Sequence, residues 1–417
     1  MNARMSESEA AAGVESGAAA GARAPLLLAG VRIIAVEQYG AGPFGTQHLA
    51  DLGAEVIKIE NPNDGGDVGR AVGPLYFGPG DSHFYQSFNR NKKSMTLDLK
   101  KPGGREALRR LAKDADVVFN NLRGDLPAKL GLTYDDFKDV NPQLVCGHLS
   151  AYGRTGSRAA WPGYDYLMQA EAGYLSLTGE PDGPPARMGL SIIDLMTGTT
   201  AAMGLLAGII GARATGKGRD VDVSLFDVAL HNLCYVGTWY LNGGKAIGRE
   251  TRSAHPSLTP SQLYRTKDGW IFIMCNKEKF WGVLAGIIGK PEWATDAHYQ
   301  SFKDRLHNRD QLTAELDALL QADTTEGWMT RFAGKVPAAP VFDVRQALDS
   351  SFVAEQKLLL EFEHAQGPIR MIASPVRAGE HPTQCAPAMG EHTGEVLRSA
   401  GYTDEQISQL RALGALG

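Results

Sequence analysis

The chain has 417 residues, 43% hydrophobic and 21% charged, which excludes disordered and fibrous classes and leaves room for two domains or one large, decorated one. Lys plus Arg number 42 against 47 Asp plus Glu, a formal net charge of -5, which argues against nucleic acid as a partner because counterion release needs clustered positive charge. Cys146, Cys234, Cys275 and Cys385 form no C-x-x-C pair, so they read as reduced thiols of a cytoplasmic protein, with no metal site.

Residues 1–24 are nearly all Ala, Gly, Ser and Glu, too poor in large apolar groups to offset the entropy of ordering, and they read as a disordered tail. Glu7, Glu9 and Glu15 interrupt any secretory signal there. From Leu26 the pattern changes to short apolar runs, with strands expected over 31–36, 55–60, 95–99, 116–119 and 144–149. Pro102 starts a helix whose Ala107, Leu108, Leu111 and Ala112 share one face. Strand and helix alternate at the spacing of βαβ units, so the fold class is α/β with a parallel, Rossmann-like sheet in a large domain. A long apolar helix is expected over about 195–213, stopped by Gly216 and Gly218, then a strand over 221–225 and a helix over 226–241. The most apolar stretch, Thr199 to Ala212, is shorter than the ~30 Å core of a bilayer requires, so no membrane is expected. A loop-like stretch over 242–262 precedes a strand over 270–275. The expected boundaries are 25–224 for the first part of the large domain, 225–334 for a smaller α+β domain, and 335–417 for a return to the large domain.

Glycine is the outlying residue, at 49 positions. Six residues, Gly40-Ala41-Gly42-Pro43-Phe44-Gly45, spell G-x-G-x-x-G between an expected strand and helix, with Glu60 about 20 residues on. Such a turn lets backbone approach an anionic group at a helix N-terminus. Nicotinamide binding is disfavoured, because Thr46, Gln47 and His48 replace the usual apolar packing side and no hydride-handling constellation follows. Two readings stay open on these residues alone: another phosphate-bearing ligand, or a tight turn with no ligand.

The order of motifs along the chain separates them. Leu28-Ala29-Gly30-Val31-Arg32, Ala41-Gly42-Pro43, Leu52 to Glu60, Gly66-Asp67 with Arg70, Asn89 to Ser94, Leu97 to Lys100, Leu130-Gly131-Leu132, Ser150 to Gly153, Asp182 to Pro185, and the tail Gly390-Glu391-His392-Thr393 succeed one another. From about Leu26 to Leu410 this order resembles the class III coenzyme A transferases, the CaiB/BaiF or formyl-CoA transferase family. The resemblance implies transfer of coenzyme A from an acyl-CoA donor to a carboxylic acid acceptor, within one molecule or between two, with an aspartate nucleophile at the position of Asp194. It further implies an interlocked homodimer, and coenzyme A as substrate rather than a tightly bound cofactor. Alone, Asp194 reads equally as a helix N-cap.

The same resemblance places Gly40, Ala41, Leu97, Lys100, Asn121, Leu122 and Lys129 along the coenzyme A path, and Tyr164, Asp165, Gly198 and His255 around the active site. It reassigns the misleading fingerprint to a different phosphate ligand. Asn61 stands where some relatives carry a basic residue. The similar α-methylacyl-CoA racemases carry His where this chain has Tyr164, and un-ionised tyrosine, with an ordinary pKa near ~10, is a poorer base at neutral pH. Transfer is therefore favoured over racemisation, and the presence of Asp194 disfavours a coenzyme A-binding protein without turnover. Formyl-CoA transferases carry a run of glycines where this chain has only Gly243-Gly244, which points away from formate or oxalate and towards a larger carboxylic or dicarboxylic acceptor.

Overall fold

A computed structural model describes residues 26–417 except 378 and 380, so the reading of 1–24 as a tail lies outside the described residues. The chain runs β1 (Arg32–Val36), α1 (Ala41–Asp51), β2 (Glu55–Glu60), a small hairpin of β3 (Tyr76–Gly78) and β4 (Asp81–Ser82), α2 (His83–Asn89), β5 (Lys93–Thr96) and α3 (Pro102–Ala112). There follow β6 (Val117–Asn120), two short helices α4 (Leu126–Leu130) and α5 (Tyr134–Phe137), β7 (Val145–Ser150), α6 (Asp165–Glu171), α7 (Ile192–Thr215) and β8 (Arg219–Ser224). Six strands form one sheet in the order β5-β2-β1-β6-β7-β8, and every adjacent pair is parallel.

The inner strands β1, β2, β6 and β7 are buried along most of their length on both faces, whereas the edge strand β8 is half exposed and alternates Asp with Val. Ile33, Ala35, Val117, Phe119 and Val145 face a core shared with α1, α6 and α7. Ile34, Ile57, Val118 and Cys146 face the opposite core, closed by α3 and by helices Thr393–Ser399 and Asp404–Ala412. The C-terminal segment thus returns to the large sheet.

Three expected elements differ in detail. The strand expected over 95–99 is Lys93–Thr96, because Asp98 turns the chain: its Oδ1 accepts the Lys100 N–H at 2.9 Å. The helix expected over 195–213 has 24 residues, about 36 Å at 1.5 Å per residue, so the length argument against a membrane span fails. By length and composition α7 could cross a bilayer, yet Ala201, Leu205, Ile209 and Ala212 are packed in the protein core. The helix expected over 226–241 is broken into α8 (Leu225–Asn232) and α9 (Cys234–Gly243), with Cys234 at φ 46°.

The smaller region holds an antiparallel sheet of β9 (Ser261–Arg265), β10 (Trp270–Met274) and β11 (Ala338–Pro340). Its own core includes Tyr264, Trp281, Leu316 and Phe332. Because β11 pairs with β10, this sheet extends past residue 334. Leu225 and Ala229 of α8 pack in the large core, beyond the expected boundary at 224.

Candidate active site

β1 and β6 are neighbours whose connections leave in opposite directions, to β2 on one side and β7 on the other. Such a switch point opens a crevice beyond the carboxyl ends of the strands. Here Gln38 follows β1 and Asn121 follows β6, and the two are stitched together. Asn121 Oδ1 accepts the Gln38 N–H at 2.9 Å, and its Nδ2 donates to the Gln38 carbonyl at 2.7 Å. Two cavities meet at this stitch. One, of 190 Å³, is walled by Gly40, Ala41, Asn121, Tyr164 and Asp194. The other, of 270 Å³, is walled by Leu97, Lys100, Leu126 and Leu130. Gln38 and Leu122 line both, so the two cavities adjoin.

Asp194 lies in the first turn of α7 and is 7% exposed. Burial, and then the neighbouring Asp165 carboxylate, push its carboxyl up to about 7. Among the described residues no Lys, Arg or His pairs with it. Asp165 opens α6 and accepts the Asp194 N–H on Oδ2 at 3.0 Å. Gln169, one turn on, donates to Asp165 Oδ1 at 2.6 Å and accepts the Met188 N–H, tying the loop before α7 to α6.

Three glycines set the approach of α1 to α7. A Cβ at Gly40 would lie 2.8 Å from Asp194 Oδ2. A Cβ at Gly45 would meet the Gly198 carbonyl oxygen at 2.5 Å, and one at Gly198 would meet the Ala41 carbonyl oxygen at 2.4 Å. No side chain caps the N-terminus of α1 and its first turn holds no acid, so the Ala41 and Gly42 N–H groups at the positive end of the helix have no side-chain partner among the described residues.

The structure brings together Gly40, Ala41, Asn121, Leu122, Tyr164 and Asp194 in one chamber, and Leu97, Lys100 and Leu122 in the other. Asp165 and Gly198 stand behind this wall, one holding the Asp194 backbone and the other admitting α1. Lys129 and His255 line neither chamber. Lys129 is exposed and bound to Asp125 at 2.6 Å. His255 sits in the loop before β9, where Nδ1 accepts the Ser257 and Leu258 N–H groups, both at 3.1 Å. Burial and then Arg309 hold its imidazole below the ordinary range. Gln38, Tyr39, Arg123, Ser150, Ala151 and Trp161 also line the first chamber; of these the sequence offered only Ser150 and Ala151, as part of a motif and not as site residues. The signal for most of them is positional: they stand just after, or at the carboxyl ends of, β1, β6 and β7.

Fold and cavities together define a doubly wound α/β protein with adjoining cavities at its switch point, one of them lined by a buried carboxyl. Residues 28–393 match the profile of CoA-transferase family III. The chain is 34% identical to succinyl-CoA:glutarate CoA-transferase of Homo sapiens over 396 residues, 93% of this chain and 90% of that one. It is 35% identical to acetyl-CoA:oxalate CoA-transferase of Acetobacter aceti over 377 residues, 88% of this chain and 94% of that one. A CaiB/BaiF family protein from Brucella suis superposes with a TM-score of 0.79 at 31% identity, covering 90% of this chain and 100% of that one. The chain belongs to CoA-transferase family III and is a CoA-transferase.

Proposed function

We propose that the chain moves coenzyme A from an acyl-CoA thioester to a dicarboxylic acid, with Asp194 as covalent nucleophile. The observation that carries this reading is the Asp194 carboxyl itself, buried without a basic partner among the described residues and standing at one end of a two-chambered cleft. Burial makes its charge costly, and attack on the thioester carbonyl removes that charge. The carbon–sulfur bond breaks, coenzyme A leaves as thiolate, and Asp194 carries the acyl group as a mixed anhydride. The thiolate then attacks the aspartyl carbonyl and expels the donor acid, leaving an aspartyl-CoA thioester. The acceptor carboxylate attacks that thioester, and the second half mirrors the first. One thioester replaces another, so the exchange is near balance. The absence of a side-chain cap supports a role for the Ala41 and Gly42 amides at the start of α1 in stabilising each oxyanion.

In this reading the chamber lined by Leu97, Lys100 and Leu122 takes the nucleotide end of coenzyme A, and the chamber at Asp194 takes the thioester. Coenzyme A enters and leaves as substrate, and no resident cofactor is required. Both named relatives act on dicarboxylates, glutarate and oxalate. The exposed apolar side chains Met203 and Ile210 on α7 and Tyr240 and Leu241 on α9 support a homodimer that covers them, which light scattering would detect.

The decisive experiment offers a panel of short-chain and dicarboxylic acyl-CoAs and acceptors, traps with hydroxylamine or borohydride, and maps the adduct by peptide mass. An adduct on Asp194 is expected. Full turnover in Asp194→Asn with no adduct would sink the reading. α-Deuterium exchange without loss of the thioester would instead indicate racemase chemistry, and tight binding without exchange a non-catalytic coenzyme A-binding protein.

A further inference from the structure

We propose that Asp67 is a positioning residue of the transfer reaction: it holds Tyr39 in a left-handed backbone conformation and thereby fixes Gly40 against the Asp194 carboxyl. Tyr39 has φ 68°, a conformation in which the Cβ of an L-residue crowds the following carbonyl oxygen. Something must hold it there. The Tyr39 N–H donates to Asp67 Oδ1 at 2.8 Å, and the Gly69 N–H donates to the same oxygen at 2.7 Å. The other oxygen, Oδ2, lies 2.8 Å from Lys58 Nζ. Lys58 Nζ also donates to the Glu37 carbonyl at 3.0 Å. Asp67 and Lys58 therefore grip the chain on both sides of Gln38, whose own backbone Asn121 already holds.

This grip is buried, with Asp67 only 2% exposed and Lys58 fully enclosed. Asp67 borders the second chamber, but its oxygens face partners within the protein, two backbone N–H groups on Oδ1 and the Lys58 ammonium as an ion pair on Oδ2. The turn it holds sets the Tyr39 ring 5.2 Å from Phe84 and 6.4 Å, edge-on, from Tyr164. It also presents the bare Gly40 Cα to Asp194 Oδ2. If Tyr39 relaxes to negative φ, the next residue moves relative to the nucleophile.

The inference rests on the reading that Asp194 reacts in this chamber, and its test is a double-mutant cycle run with the donor and acceptor that the trapping assay identifies. Asp67→Ala in the natural chain is expected to lower kcat roughly tenfold or more. In a Tyr39→Gly background, measured against that variant's own rate, Asp67→Ala is expected to cost only about twofold, because glycine takes positive φ unaided. Asp67→Asn keeps an acceptor for the Tyr39 N–H while losing the charge facing Lys58, so it should retain kcat within about threefold while melting at a lower temperature. Equal losses from Asp67→Ala in both backgrounds, or a loss of kcat in Asp67→Asn as large as in Asp67→Ala, would overturn the positioning role. A failure of the underlying reading shows separately, as the absence of an Asp194 adduct in the unmodified chain.

Discussion

Glu60, at the carboxyl end of β2, and Asp194, at the start of α7, are both buried carboxyls beside the cleft, and their surroundings treat them in opposite ways. Burial pushes the Glu60 carboxyl up, but Arg70, hydrogen-bonded to both of its oxygens at 2.6 and 2.8 Å, outweighs that effect together with Lys58 and Ser94. The result lies below the ordinary carboxylate range. Arg70 in turn lies over the Tyr85 ring at 3.8 Å and donates to the Tyr85 hydroxyl. Among the described residues Asp194 has an acid for its charged neighbour and no cation paired with it, and its carboxyl rises to about 7. A buried acid with a cation is held as a structural tie. A buried acid beside another acid is held in a state that reaction relieves.

The sharpest way to break this contrast is to neutralise each side in turn. Asp194→Asn removes the nucleophile and should lower the transfer rate by at least about a thousandfold, read as initial rates of thioester exchange. For the unmodified chain, kcat/KM should fall about tenfold per pH unit below about 7, because only the ionised carboxylate attacks. On the other side, Arg70→Met leaves Glu60 buried without its main partner and should destabilise the fold by about 3–5 kcal/mol in urea unfolding. Were Arg70→Met neutral in stability, Glu60 would not be a structural tie.

Stability carries the same contrast with the opposite sign. In the folded chain Asp194 binds its proton up to about 7, whereas an unfolded aspartate releases it near ~3.9. The folded state therefore holds more protons between those values, and stability falls as pH rises through the interval. The cost is absent below it and complete above about 7. Asparagine never ionises, so Asp194→Asn should match the unmodified chain near pH 4 and exceed it by roughly 2–4 kcal/mol at pH 8, measured by urea unfolding at both pH values. The variant that abolishes activity is thus expected to be the more stable protein.

The sheet was legible because β1, β2, β6 and β7 are buried on both faces and so read as short, mostly apolar runs, interrupted in β2 by the buried Lys58 and in β7 by His148. Asp194 was legible only through the order of motifs around it, since an acid in the first turn of a helix is also a common cap. What stayed hidden depends on contacts between distant segments. Nothing local marks Tyr39 for a left-handed backbone; the cause is Asp67, 28 residues away. The fingerprint at Gly40 to Gly45 misled for a related reason. Glu60 stands where a ribose-binding acid would, but Arg70 consumes it, and Gly45 serves close packing against Gly198. Lys129 carries a cation in the expected place in sequence, and it pairs with Asp125 on the surface and lines neither chamber.

The smallest of these effects isolates the cause of the Asp194 shift. Asp165 is the second contributor, after burial, so Asp165→Asn removes a charge while leaving the desolvated site intact. The asparagine oxygen can still accept the Asp194 N–H, but its amide then faces the Gln169 Nε2, donor against donor, while Gln169 Oε1 remains held by the Met188 N–H. That mismatch should cost about 1 kcal/mol of stability. The acid limb of the rate profile should move down by less than about one pH unit, because burial remains. A limb that dropped to the ordinary ~4 would make the acid pair, and not the dry pocket, the source of the raised pKa. Burial acts on Glu60 as well, so the difference between the two carboxyls would then lie wholly in the sign of the neighbouring charge.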